Sequence, residues 1–189
     1  AWEAWGADCV KRFRGMFAFA LWDRNQQTLF MARDRLGVKP MYYALLDDGM
    51  LLFGSELKSL LAYRGPQGVA LKREIDPLAV EEYFALGYVA EPRCIFRQAR
   101  KLPPAHTLVI RRGEPVGEPR EYWDVHFTLG NPSSAEDACA ELQQRLRESV
   151  RLRMISEVPL GAFLSGGVDS SAVVATMAGL SDGPVNTCS

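Results

Sequence analysis

Apolar residues recur at spacings of three and four in the opening stretch, at Trp2, Trp5, Cys9 and Phe13, which predicts a helix over 2–13 broken by Gly15. The run Met16-Phe17-Ala18-Phe19-Ala20-Leu21-Trp22 has the length and aromatic content of a strand buried on both faces. A polar turn at 23–27 leads into a returning strand over 28–33. Stretches 41–46 and 50–55 form a second strand pair around Asp47-Asp48-Gly49, a hairpin signal. A short helix is expected over 56–63. Closely spaced strands with tight turns, followed by helices, predict an α+β layered domain.

Asp76-Pro77 supplies a cap and a first-turn proline for a helix ending near Leu86, before Gly87. Pro103-Pro104 forces an extended or turning segment, because neither ring nitrogen can donate. Strands are expected over 107–111 and 121–127, with a turn at 112–115 between them. The best linker is Leu129-Gly130-Asn131-Pro132-Ser133.

The period then changes to that of a long helix. Ser134 and Asp137 form a capping-box pattern, and Ala138, Leu142, Leu146 and Val150 share one face. Glu141 with Arg145 and Glu148 with Arg151 decorate the outer side. A buried strand is predicted over 158–164, a helix over 170–180 and a second strand from Val185, so the second half reads as a βαβ unit of a parallel sheet.

The sharpest chemical signal sits inside that unit, in Phe163-Leu164-Ser165-Gly166-Gly167-Val168-Asp169-Ser170-Ser171. The glycines let backbone approach a ligand, and free N–H groups at a helix start attract an anion. Ser165 and Ser170 add hydroxyls. Asp169 would repel a bare phosphate, so its presence points to Mg²⁺ between carboxylate and phosphate oxygens. The plainer reading is a strand-to-helix connection in which Ser165 or Asp169 caps the helix. Neither the Walker pattern nor the dinucleotide fingerprint occurs in the chain.

Composition narrows the classes further. Lys plus Arg number 22 against 23 Asp plus Glu, so charge gives no reason to expect nucleic acid or an anionic membrane as partner. No run approaches the roughly 20 apolar residues of a membrane span. Cys9, Cys94, Cys139 and Cys188 lie far apart without a CxxC pair, which fits a reducing, cytoplasmic setting. His106 and His126 lack partners at ligand spacing. Arg145, Arg147, Arg151 and Arg153 read as solvated helix positions, and Arg33 with Asp34 as an internally paired structural turn.

The loop Ser165-Gly166-Gly167-Val168-Asp169-Ser170 resembles the pyrophosphate loop of the ATP-pyrophosphatase enzymes. The blocks 13–23, Arg33-Asp34-Arg35-Leu36-Gly37-Val38-Lys39-Pro40 and Ser55-Glu56-Leu57-Lys58 look like the second half of a class II glutaminase domain. In this order, joined by 101–106 and Tyr122-Trp123, they resemble the glutamine-hydrolysing asparagine synthetase family. Glu81-Glu82-Tyr83-Phe84 and Tyr122-Trp123-Asp124-Val125 also resemble its exosortase-associated amidotransferase branch.

The resemblance implies a partial N-terminal-nucleophile glutaminase sandwich of α+β class, followed by the start of an α/β parallel-sheet ATP-pyrophosphatase domain. It places the second half of the glutaminase at 1–113, a linker and connecting strand at 114–133, and the first part of the synthetase at 134–189. It implies ATP and Mg²⁺ as cofactors, and small-molecule substrates: glutamine, aspartate or another carboxylate, and ATP. A homodimer is among the expected assemblies; nucleic acid and membrane are not expected partners. Phe163 and Leu164 would lie near the adenine, while Ser165, Gly166, Gly167, Asp169 and Ser170 would hold pyrophosphate, with Asp169 on the metal.

The family nucleophile is an N-terminal cysteine with a free α-amine, whereas residue one here is Ala1, and Cys9 is internal. The chain therefore reads as a fragment without a glutaminase nucleophile, inactive by itself, with apolar surface left uncovered. The alternatives are the same modules amidating a different carboxylate, and a nucleotide-binding protein without catalysis.

Overall fold

A computed structural model describes residues 1–127, 130 and 134–189. The chain divides into two compact units, Ala1–His126 and Phe127–Ser189, and mixes helix with sheet in both.

In the first unit β1 (Ala18–Asp23), β2 (Thr28–Arg33), β6 (His106–Arg111) and β7 (Arg120–Glu121) form an antiparallel sheet in the order β1-β2-β6-β7. A second antiparallel sheet has the order β4-β3-β5, from β3 (Tyr42–Leu45), β4 (Leu51–Gly54) and β5 (Ala99–Lys101). The turn between β3 and β4 is the Asp47-Asp48-Gly49 hairpin, where Gly49 takes φ +82°. The period of two along β2 divides its side chains between two apolar clusters. Met31 packs with Tyr43, Leu102 and Leu108 on one face, while Phe30 and Ala32 pack with Cys9 and Val10 on the other. The strand buried on both faces is thus β2. The expectation had assigned that role to 16–22, yet β1 is an edge strand paired only with β2, and Trp22 is 47% exposed.

The predicted helix over 2–13 is broken. Helix α1 spans Trp2–Trp5, and a tighter 3-10 stretch follows over Gly6–Arg12. Gly6 closes α1 at φ +54°, a conformation that does not continue a helix. Of the four spaced positions Cys9 is buried and Trp2 and Phe13 are half-buried, Trp2 against Phe30 and Phe13 beside Phe17 and Phe19, whereas Trp5 is exposed. The partner strand expected over 121–127 shrinks to the two residues of β7. Beyond it, Tyr122 donates its amide to Ala105 O at 2.9 Å, one step further in the same register, and its hydroxyl to Arg33 O at 2.8 Å.

Helix α2 covers Leu57–Ala62, and α3 covers Pro77–Leu86 with the predicted punctuation. The Asp76 carboxylate accepts from Leu78 N–H at 3.1 Å, and Gly87 closes the helix in the left-handed region. Arg93 ties both ends of the first turns, reaching Asp76 (3.1 Å) and Glu82 (3.0 Å). Its guanidinium holds the Asp76 carboxyl below the usual carboxylate range.

Arg33 and Asp34 are buried but not paired with each other, which corrects the sequence reading. Asp34, 1% exposed, accepts from the amides of Phe17 (3.3 Å), Leu36 (3.2 Å), Val38 (3.0 Å) and Lys39 (2.9 Å). Arg33 donates to the carbonyls of Lys39 (2.8 Å), Gly37 (2.7 Å) and Leu102 (2.7 Å), and to Glu91 at 3.3 Å. Gly37 is obligatory: at φ +64° a β-carbon would stand 2.8 Å from the Pro104 ring and 3.0 Å from Arg33.

In the second unit α4 spans Ala135–Arg153, with the Ser134 hydroxyl accepting from Asp137 N–H at 3.1 Å. Of the predicted apolar face only Val150 is buried, and Leu142 is 66% exposed. A parallel pair joins β8 (Gly161–Phe163) to β9 (Asn186–Cys188), with α5 (Val168–Ala178) between them. The buried strand expected over 158–164 is three residues long and exposed, because β9 is its single neighbour among the described residues. The linker over 129–133 lies outside the described residues except for Gly130. Among those residues no helix is long and apolar enough to cross a membrane.

Replacing Asp34 by Ala leaves four amides without their acceptor and should cost about 3 kcal/mol or more, read as a fall in the urea midpoint; Asp34→Asn should cost less. Burial pushes the Tyr122 hydroxyl from 10.0 up to about 12. Its folded-state pKa is raised, so its contribution is complete below pH 10.0 and is lost as pH climbs toward 12. The urea midpoint should therefore fall between those values, and fall less steeply in Tyr122→Phe.

Candidate functional site

Strand β8 ends at Phe163, and Leu164 extends the ladder by donating its amide to Cys188 O at 2.8 Å. The chain then turns through Ser165, Gly166 and Gly167 into α5. Gly166 takes φ +79°, and a β-carbon there would meet nothing within 4 Å, so open space lies in front of the loop. Gly167 is the residue before the helix, and no side chain hydrogen-bonds to the first-turn amides of α5.

The alternative in which Ser165 or Asp169 caps the helix is not what the side chains do. The Ser165 hydroxyl lies 3.1 Å from that of Ser170, which donates in turn to Gly167 O at 3.1 Å. These contacts brace the loop across its mouth and leave the amides at the start of α5 facing outward. Exposed amides aligned with the positive end of a helix dipole form an anion-binding surface. Asp169 stands in the first turn and is exposed, while Ser170 is half-buried. Phe163 is 85% exposed and Leu164 half-buried at the strand end. The loop therefore brings Ser165, Gly167 and Ser170 together on an open surface, with Asp169 beside them.

Other candidates carry less chemistry. His106 holds Pro104 O through Nδ1 at 2.6 Å. Among the described residues no group of three or more His, Cys, Asp and Glu could hold a metal. Cys9 is 1% exposed and burial pushes its thiol up, as expected of a packed residue. Sequence reasoning missed two arginines with partners far along the chain, Arg93 on Asp76 and Glu82, and Arg147 on Gly179. No local pattern announces either.

Residues 1–123 match the glutamine amidotransferase domain family, and the chain belongs to that family. Residues 141–189 match asparagine synthase. The chain is 39% identical over 177 residues to a putative glutamine-hydrolyzing asparagine synthetase 2 of Methanocaldococcus jannaschii, covering 94% of this chain and 33% of that protein. It is 38% identical over 177 residues to glutamine-hydrolyzing asparagine synthetase 3 of Bacillus subtilis, covering 93% and 27%. It is also 34% identical over 182 residues to the amidase chyE of Penicillium rubens, covering 95% and 25%. The similarity to glutamine-hydrolysing asparagine synthetases read from the sequence blocks is thus found across the chain. The chain spans a quarter to a third of the length of these relatives.

Ser170→Ala removes both contacts that brace the loop. Amide hydrogen exchange at 165–169 should speed up at least about threefold, with the exchange of β2 unchanged.

Proposed function

We propose that the chain is part of a glutamine-dependent amidotransferase that activates a carboxylate with ATP. The most direct form of the reading is asparagine synthesis, in which aspartate, ATP and glutamine give asparagine, AMP, pyrophosphate and glutamate. The observation that carries it is the uncapped start of α5 behind the Ser165-Gly166-Gly167 turn. The names of the relatives in Methanocaldococcus jannaschii and Bacillus subtilis support the acceptor. In this reading residues 1–113 are glutaminase, 114–133 connect, and 134–189 open the synthetase domain.

A carboxylate is a poor acyl electrophile, and adenylation gives it a leaving group that ammonia can displace. The loop amides and the hydroxyls of Ser165 and Ser170 would bind the pyrophosphate oxygens, where negative charge grows as the bond to the α-phosphorus breaks. Phe163 and Leu164 would flank the adenine. The donor set suits Mg²⁺, which binds through one or two carboxylates together with substrate phosphates and retains water. Asp169 would hold it, and the ion when bound would screen repulsion between carboxylate and phosphate. Cys9, packed and internal, is not the glutaminase nucleophile in this reading.

The test is ATP–pyrophosphate exchange by a protein carrying this chain together with the remaining length its relatives have. Exchange should require aspartate, and Asp169→Ala should abolish it while glutamine hydrolysis persists. Exchange that responds to another carboxylate would move the reading to a different acceptor. Nucleotide binding without exchange under any carboxylate would favour a non-catalytic module.

A further inference from the structure

We infer that Arg147 is a positioning residue for the Ser165–Ser170 loop, holding from α4 the far end of the helix that carries it. The inference rests on the reading of that loop as a phosphate site. Four arginines line the second half of α4, and three bond within their own helix. Arg145 pairs with Glu141, Arg151 with Glu148, and Arg153 with Ser149. Among the described residues Arg147 alone of the four reaches another element, donating through Nη2 to Gly179 O at 3.3 Å.

Gly179 is the residue at which α5 ends. Its amide completes the helix by donating to Ala175 O at 3.1 Å, while its carbonyl is one of the last-turn acceptors that a helix cannot satisfy internally. A guanidinium there supplies both the missing donor and positive charge at the negative end of the dipole. The Arg147 guanidinium lies within 3.7 Å of where a Gly179 β-carbon would be, so it packs against the helix end as well as bonding to it.

This contact matters because little else fixes α5. Val150, one turn beyond Arg147 on α4, and Met177, two residues before Gly179, are the buried residues of the second unit among those described. The strand leading into the loop is largely exposed and has one neighbour among the described residues. Helix α5 spans 11 residues, about 16 Å, and moves as a rod. Whatever seats its C-terminal end on α4 therefore sets where the free amides of Val168, Asp169 and Ser170 point, the Ser171 amide already donating to Gly167 O at 3.1 Å. When the seated arrangement is only fractionally populated, apparent affinity falls by that fraction.

The test titrates inorganic pyrophosphate with Mg²⁺ into the intact chain, following the amide resonances of Val168, Asp169 and Ser170. Arg147→Ala should raise the dissociation constant about threefold to fivefold and displace those resonances in the free protein. Arg147→Gln, which keeps a donor and serves should the alanine variant not fold, should fall between. Arg151→Ala, which removes the same charge from the same helix, should leave affinity and resonances unchanged. Equal affinities for wild type and Arg147→Ala would overturn the inference while leaving the phosphate site standing. Equal weakening by Arg147→Ala and Arg151→Ala would overturn it in favour of a general charge effect. Absence of binding by the wild type would defeat the phosphate reading, and this inference with it.

Discussion

The buried carboxylate of Asp34 is the constraint around which the first unit is assembled. A charged group at 1% exposure is tolerable only if nearly every lone pair is used, and Asp34 uses its oxygens on four backbone amides. Those amides belong to the entry to β1 and to the turn between β2 and β3. Arg33, the preceding residue, does the complementary work on carbonyls at 37, 39 and 102. Successive side chains leave an extended backbone on opposite sides, so neighbours in sequence grip different segments more readily than each other. The pair therefore welds three non-contiguous pieces of backbone, and the two sheets inherit their relation from that weld. Met31 and Leu108 from one sheet meet Tyr43 from the other beside it.

What could be read from the sequence follows the range of the interactions involved. Helix α3 was legible to the residue, because Asp76, Pro77 and Gly87 act on backbone within a turn of themselves. The β3–β4 hairpin was legible for the same reason. Burial was not, since it depends on which strands lie alongside. The aromatic run at 16–22 reads as a central strand until β2 is found to have β1 and β6 on its two sides. The stretch 158–164 reads as buried, yet three residues pair there, with a single neighbouring strand among the described residues. Even the correct judgement that Arg33 and Asp34 are structural came with the wrong partners, because the right ones lie up to 69 residues away.

The candidate site was unusually legible because all its residues lie within eight positions of one another, on a strand end, a turn and one helical turn. What the sequence left open was the use of the polar side chains. A serine or aspartate before a helix can cap it, which satisfies the amides locally and leaves nothing for a ligand. The structure shows Ser165 and Ser170 turned toward each other, and Gly167, which has no side chain, at the capping position. The loop is shaped by hydroxyl contacts across its mouth, so its amides are not consumed in shaping it.

Asp169 is subject to two opposed demands, and their balance shows what kind of anion suits the loop. In the first turn of α5 its negative charge is favoured by the helix dipole by about 0.3–1 kcal/mol, so stability alone would retain it. The same charge stands beside the amides that would receive a phosphate, and two unit charges 4 Å apart repel by about 1 kcal/mol in water and more where water is excluded. An isolated anion would therefore bind better without Asp169. In the proposed reading a divalent cation reverses that sign, because it converts the carboxylate from a competitor of the phosphate into one of two ligands for the same ion. In that reading, glycine where the cap would be and an acid in the first helical turn suit a metal-bound polyphosphate better than a bare one.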